Sequence, residues 1–337
     1  MTVSERIPLA SLTTFKLGGP ARYLAVCENL DDVQTALALS RERGLQWYVI
    51  GGGSNVLASD DGYDGVIIHV SADSIIFNDT DTNGEVLAVV DAGVTWDAFV
   101  DASVSRGLWG IENLAGIPGS VGAAPVQNIG AYGADISQTL VWVETLDANS
   151  GEVRRFDHDE CALGYRDSRF KRDPALIIMR VGFILRHDGT QNLAYADLAA
   201  KASAGVQLKT PAGIAKTVRE IRAGKFPDLS VTGTAGSFFK NPTITESAFD
   251  GLKTRYPELP GYASIDGVKV SLAWILDHVL NLRGYAEGRV RLFEKQPIVI
   301  VAENGATAHD VDALACHVEA RVLDATGVVL EREVRML

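Results

Sequence analysis

The sequence predicts an α+β protein built from more than one domain. Its 337 residues exceed the ~100–200 residues of a typical single domain. Its periodic stretches do not keep to one strand–helix alternation: a strand–helix–strand start gives way to a mixed middle and then to a part with long helices. Between them lies a long uncharged stretch too rich in glycine and proline to form either element.

The elements follow in order. Residues 1–18 read as an extended arm ending at Gly18-Gly19-Pro20. ARYLAVC is a strand. Asp31-Asp32 open a helix that VQTALALSRERG carries to its glycine stop. WYVI is a short apolar strand that runs straight into GGGSN at 51–55, and VLASDDGYDGVIIHV adds a turn and another strand. This is βαβ logic. In the middle, LAVVDAGVTW is a strand and turn, and DAFVDASVSRG is a helix closed by Gly107. VWVETLDANSGEVRRF alternates around Asn149-Ser150-Gly151 and predicts a hairpin. ALIIMRVGFILRH is a β-prone run, and PAGIAKTVREIRAGKFP an amphipathic helix ended by Gly224 and Pro227. Further on, KVSLAWILDHVLN is a helix, IVIVAENG a buried strand, AHDVDALACHVEARVLDATG a helix stopped by Gly327, and VVLEREVRML a closing strand with Glu331, Glu333 and Arg335 on one face.

The stretch IENLAGIPGSVGAAPVQNIGAYGAD, residues 111–135, carries no charged side chain from Asn113 to Ala134. Its glycines, prolines and amides exclude a bilayer span, where backbone must bond to itself. A flexible linker is rich in serine and charge, whereas here Ile, Leu, Val and Ala separate the glycines. The reading that remains is a buried cradle. Glycine admits a ligand without a Cβ in the way, and successive free N–H groups form a concave anion site. Gly51-Gly52-Gly53 after a strand can collar a diphosphate in the same manner. The triplet matches neither the dinucleotide fingerprint nor the P-loop, so it gains weight only as the second half of a two-part site.

Composition limits the partners. A net charge of −12 argues against nucleic acid and anionic membrane surfaces as partners, which need clustered Lys and Arg. It leaves room for small anions held by a few local donors. Cys27, Cys161 and Cys316 are odd in number and far apart, which fits reduced thiols in a cytoplasm. The N-terminus shows no export pattern. His309 and His317 are eight apart without a carboxylate or Cys at ligand spacing, so no metal is expected.

Taken together, TTFKLGGPA, GGGSN, GIENLAGIPGSVGAAPVQNIGAYG, GYRDS, IRAGKFPD, GSFFKNP and LEREVR resemble one family over nearly the whole chain, the bacterial UDP-N-acetylenolpyruvoylglucosamine reductases (MurB). The resemblance implies a three-domain flavoenzyme with a vanillyl-alcohol-oxidase-like FAD fold: FAD-binding domains at 1–70 and 71–224, the latter joined by a C-terminal strand 328–337, and a substrate domain at 225–327. It implies non-covalent FAD, NADPH as co-substrate, and a monomer acting in peptidoglycan precursor synthesis. The alternative is another non-covalent flavin oxidase of the same fold.

The resemblance also implies roles. Ser237 is the proton donor, Arg166 partners the substrate carboxylate, and Glu333 is the C-terminal carboxylate of the site. FAD is held by Gly51, Gly52, Gly53, Ser54, Asn55, Gly116, Ile117, Pro118, Gly119, Ser120, Gly122, Ala123, Asn128, Gly130, Tyr132 and Arg222. Substrate or nicotinamide meets Tyr132, Tyr165, Tyr195, Lys225, Asn241, Tyr262, Lys269 and Gln296, with Tyr195 on a substrate-closing loop. One departure stands out: Arg332 occupies the place where the family tail has proline.

Overall fold

The strand–helix–strand start forms as its caps dictate. In the computed structural model, which describes residues 1–82 and 84–337, the helix Leu30–Arg43 follows the strand Pro20–Cys27. Its N-cap is Asn29, whose side chain accepts from the Asp32 N–H, rather than Asp31. Gly44 ends it in the left-handed region at φ 62°, where a side chain would be strained. The strands Gln46–Ile50 and Tyr63–Val70 then pair in parallel, from Gln46 opposite Gly65 to Ile50 opposite His69. The expected arm is itself partly a strand, Thr2–Pro8, so the sheet runs Thr2–Pro8, Pro20–Cys27, Tyr63–Val70, Gln46–Ile50.

The chain divides into two compact units. The first comprises Met1–Ile7, Ala21–Gly52 and Asp64–Arg222; the second comprises Pro8–Pro20, Gly53–Tyr63 and Ala223–Leu337. The glycine triplet is therefore split between them.

Besides the four-stranded sheet, the first unit holds an antiparallel sheet in the order Val153–Asp157, Leu140–Asp147, Leu176–Arg186, Glu85–Asp91, Ile75–Asp79. The hairpin expected around residues 149–151 is its Leu140–Asp147 and Val153–Asp157 edge. Leu176–Arg186 sits at the centre, and its run IIMRVGFIL is buried on most positions, as a strand covered on both faces should be. The helix Trp96–Val104 ends before Gly107, and Pro211–Lys225 runs one residue past Gly224. Trp96, Phe99 and Phe183 pack edge to face or tilted at 5.0–5.9 Å in the core.

The second unit has its own core, with Phe238, Phe239, Leu272, Val299, Ile300, Val311 and Val318 among its buried side chains. The helix Ala308–Thr326 begins with a reciprocal capping box between Thr307 and Asp310 and stops at Gly327, φ 72°. Two expectations need correction here. The helix read from KVSLAWILDHVLN is broken up: Lys269 and Val270 belong to the strand Gly267–Val270, and Leu272–Trp274 continues as a π-turn over Ile275–Val279. The closing segment is a strand only at Arg335–Met336, in parallel with Val56–Leu57. Before that, the Glu333 and Val334 N–H groups both converge on the Phe238 carbonyl, at 2.8 and 3.4 Å. Two donors on one acceptor cannot continue a regular ladder. No helix among the described residues is long and apolar enough to cross a membrane.

Candidate active site

In the first unit the two glycine-rich pieces meet. A Cβ on Gly51 would lie 2.6 Å from Ser120 Oγ, and one on Gly52 would lie 2.9 Å from the Gly119 Cα. Main chain packs directly on main chain, which only glycine permits. The cradle itself is tied to the strand–turn before it. Val121 N–H donates to the Val94 carbonyl at 2.8 Å and Gly122 N–H to the Ala92 carbonyl at 2.9 Å. Ile117, Pro118 and Ala123 lie on this same looped stretch, where Ile117 and Ala123 are half-buried and Pro118 is exposed.

Further along, Asn128 takes φ 44° and Tyr132 φ 50°, turns that aim their side chains inward. Asn128 Nδ2 donates to the Gly164 carbonyl at 3.1 Å, while its buried Oδ1 meets no protein donor. That atom is an acceptor waiting for an N–H from outside the protein. Gly130 pairs with Asp135, and its carbonyl accepts from Arg166 Nη2 at 3.0 Å. Arg166 stands in a tight turn, Gly164 facing Asp167, itself at φ 53°, with Lys171 Nζ on its carbonyl at 2.9 Å. The next residue but one, Ser168, anchors that turn to the cradle through the Val126 carbonyl at 2.7 Å. GYRDS is thus more than a solvated turn: it places the guanidinium on the cradle. Tyr165, beside Arg166, is exposed.

Tyr132 is buried, and burial pushes its phenol up to about 12, so it remains an O–H donor at neutral pH. The Tyr195 ring meets it edge to face at 5.0 Å. The loop before Tyr195 is hooked to the same place. Asn113 Nδ2 donates to both the Tyr132 and Asn192 carbonyls at 2.9 Å, and Asn192 Nδ2 donates to the Gly133 carbonyl at 3.0 Å. Arg222 closes the first unit. Its Nε donates to the Gly116 carbonyl at 3.0 Å, and burial lowers its guanidinium from the usual value.

The second unit gathers a different set. Ser237 bridges Val299, and Phe238 N–H donates to the Ile298 carbonyl at 2.9 Å. The Phe238 carbonyl in turn receives Glu333 N–H at 2.8 Å, so Ser237 and Glu333 are carried on neighbouring segments. Phe238 and Phe239 are buried while Ser237 is half-buried. Asn55 of GGGSN belongs here: its Nδ2 donates to the Glu333 carbonyl at 3.0 Å, and its own carbonyl accepts from Arg335 N–H at 3.1 Å. Gly53 and Ser54 precede it, and a Cβ on Gly53 would overlap the Leu12 carbonyl. Arg332 turns away to Glu319 and Asp312 on the helix Ala308–Thr326, and hydrogen bonding to Glu319 raises its guanidinium further.

Of the substrate candidates, Tyr262 and Lys269 are cross-strand partners on one hairpin. Asn241 Oδ1 accepts from Leu272 N–H at 3.0 Å. Gln296 opens the strand Gln296–Ala302 opposite Phe293, and Lys225 is the last residue of its helix. The structure brings Arg166, Gly130, Tyr132 and Tyr195 together in the first unit, and Ser237, Glu333 and Asn55 in the second. Three cradle residues escaped the sequence reading: Asn113, Asp97 and Arg219. The last had a signal, since it stands one helical turn before Arg222 and shares its face.

A sequence model of an FAD binding domain matches residues 21–157. Another, described as the UDP-N-acetylenolpyruvoylglucosamine reductase C-terminal domain, matches residues 228–337. The chain is 39% identical over 338 residues to the UDP-N-acetylenolpyruvoylglucosamine reductase of Pseudomonas aeruginosa, covering 99% of this chain and 98% of that one. It is 41% identical over 293 residues to the protein of the same name from Shewanella oneidensis, covering 86% and 84%. Among solved structures it is similar to the reductase (MurB) of Thermus caldophilus, with a TM-score of 0.70 at 24% identity over 100% of this chain and 99% of the other. With its cradle, its GYRDS turn and its serine segment in place, and with relatives of this likeness along its full length, the chain belongs to the UDP-N-acetylenolpyruvoylglucosamine reductase family.

Proposed function

We propose that the protein reduces UDP-N-acetylenolpyruvoylglucosamine to UDP-N-acetylmuramate with NADPH, a step of peptidoglycan precursor synthesis. The observation that carries this reading is the cradle. Gly52 meets the Gly119 main chain at a distance that leaves no room for a Cβ, Gly51 lies against Ser120 beside it, and the buried Asn128 Oδ1 is left for a ligand N–H. The residues fit FAD: the glycines leave room for its diphosphate to approach the main chain, although the Gly116 and Gly122 N–H groups are taken by Asp97 and the Ala92 carbonyl, and an amide acceptor suits the N–H of its ring system. No histidine lies in GGGSN or in residues 111–135, in keeping with non-covalent binding. We assign Gly51, Gly52, Ser54, Gly116, Gly119, Ser120, Gly122 and Arg222 to holding the cofactor. FAD, when bound, accepts hydride from NADPH and supplies it to C3 of the enol ether.

The chain's own residues do the rest. Hydride at C3 drives electrons toward the substrate carboxylate. Arg166 neutralises the charge that gathers there, as a fixed cation can without reorganising. Ser237 delivers the proton to C2; a hydroxyl is acidic enough only because the enolate it meets is strongly basic. Glu333 orients that donor. Tyr195 closes on the nucleotide sugar, and Tyr262, Lys269, Lys225, Asn241 and Gln296 contact it. The nucleotide substrates and the three thiols, Cys27, Cys161 and Cys316, none of them in a disulfide, support action in the cytoplasm, and the family resemblance supports a monomer.

The test is an anaerobic absorption spectrum of the purified protein. NADPH should bleach the flavin bands, and the enolpyruvyl nucleotide sugar should restore them. A colourless protein that takes up no added FAD ends this reading. Bleaching by a sugar alcohol instead of NADPH makes the protein an oxidase.

A further inference from the structure

We propose that Asp97 is a positioning residue for the cradle, fixing the Gly116 peptide by itself and through Arg219. The proposal rests on the cradle's being the FAD site. Residues 114–119 have no sheet ladder to hold them, so their shape needs other anchors. The first turn of the helix Trp96–Val104 supplies three. Trp96 Nε1 donates to the Leu114 carbonyl at 2.9 Å, Trp96 N–H donates to the Gly119 carbonyl at 2.9 Å, and Asp97 Oδ1 accepts from Gly116 N–H at 2.6 Å.

Asp97 is in turn gripped from the helix Pro211–Lys225. Arg219 Nε lies 3.0 Å from Oδ2 and Nη2 lies 2.8 Å from Oδ1, the two-pronged geometry that gives an Arg–carboxylate pair directional strength. Arg219 Nη2 also reaches Asp101 Oδ1 at 2.6 Å. Three residues along the same helix face, Arg222 Nε donates to the Gly116 carbonyl at 3.0 Å. Both polar ends of Gly116 are thus held, its N–H by Asp97 and its C=O by Arg222. Its Cα face is covered as well: a Cβ there would stand 3.3 Å from Arg219 Cγ and from Arg222 Cδ.

The charge pattern points the same way. The Asp97 charge favours the cationic form of the buried Arg222, against the effect of burial. Removing the carboxylate therefore frees one cradle N–H, releases Arg219 and leaves Arg222 less supported. Asp101, by contrast, shares Arg219 Nη2 with Asp97 but makes no bond to Gly116, so it separates loss of an ion pair from loss of the anchor.

The experiment compares the native chain with Asp97→Ala, Asp97→Asn, Arg219→Met and Asp101→Ala. Each apoprotein is titrated with FAD under flavin fluorescence, and its thermal midpoint is recorded without FAD. Asp97→Ala should weaken FAD binding about ten- to a hundredfold, the scale of losing a charge-assisted hydrogen bond. Asp97→Asn retains an oxygen for Gly116 N–H and should recover part of that loss. Arg219→Met should fall between Asp97→Asn and the native chain, and Asp101→Ala should stay within about twofold, as an exposed pair does. The graded recovery by asparagine is a signature that a purely structural role would not produce. Should Asp97→Asn and Arg219→Met stay folded and bind FAD as tightly as the native chain, the positioning role is wrong. Should the native chain itself bind no FAD, the site reading fails, and this proposal fails with it.

Discussion

The cradle of residues 111–135 and the segment that carries Ser237 hold their chemical groups by opposite means. In the cradle, main chain packs on main chain, Gly52 against Gly119, and side chains such as Asp97 and Arg222 tie down a loop that lacks a ladder. In the second unit, ordinary main-chain bonds do the holding: Phe238 N–H to the Ile298 carbonyl, and the Phe238 carbonyl to Glu333 N–H. The difference teaches where a side chain can be removed without moving its surroundings. Ser237 and Glu333 are supported from their backbones, so a change of side chain there leaves these main-chain bonds in place. In the cradle, residue type and backbone course are one requirement.

Four substitutions test that contrast, the most damaging first. Gly52→Ala puts a methyl 2.9 Å from the Gly119 Cα, and neither side is a flexible side chain that can give way. Overpacking of this kind costs about 1–3 kcal/mol, and here it falls on the proposed cofactor site. The purified variant should be colourless and should fail to retain FAD; a yellow protein with native affinity would break the contrast.

Ser237→Ala comes second. The main-chain bonds of Phe238 stay, so the thermal midpoint should not move. Stopped-flow measurements should find flavin reduction by NADPH unchanged and reoxidation by the nucleotide sugar slowed about 10²–10⁴-fold, the range of positioned proton transfer. Equal loss in both halves would remove Ser237 from the proton-donor role.

Tyr195→Ala is expected to act more gently. Its ring contact with Tyr132 belongs to a class contributing about 0.5–1.5 kcal/mol. The KM for the nucleotide sugar should rise about three- to tenfold by that energy, with flavin reduction by NADPH untouched, and Tyr195→Phe should restore it. A variant with unchanged KM would detach this loop from substrate closure.

Gly251→Ala is the smallest effect and the opposite sign. Gly251 lies in the helix Glu246–Arg255, and a Cβ there meets nothing within 4 Å. Denaturant unfolding should show a gain of about 0.4–1 kcal/mol, because alanine lowers the entropy of the unfolded chain. Destabilisation would mean that Gly251, with open space at its Cβ, is constrained as tightly as the cradle glycines.

Much of this was legible in the chain. The helix Ala308–Thr326 was readable because its signals are local: Thr307 and Asp310 start it and Gly327 stops it. The hairpin around residues 149–151 was readable for the same reason. The uncharged glycine run was readable as largely buried, irregular backbone, because its glycines and prolines bar both helix and strand while its apolar residues keep it from being a solvated linker. The closing strand misled, because alternation in VVLEREVRML reports side-chain faces and says nothing about two N–H groups converging on the Phe238 carbonyl. Asp97 carried no signal. It looked like any acid in the first turn of a helix, and its partner Arg219 lies 122 positions away.

By itself the sequence determined which backbone could be irregular, where helices begin and end, and which residue types were at hand for reduction chemistry, since these follow from Cβ sterics, caps and side-chain chemistry within a few residues. Only the tertiary structure decided that the triplet Gly51-Gly52-Gly53 is shared between two units, that Arg166 bonds to Gly130, and that Asp97 and Arg222 hold the N–H and C=O of one residue, Gly116. Hydrogen bonds and close packing between distant segments depend on distances of a few tenths of an ångström, and those exist only once the chain has closed on itself.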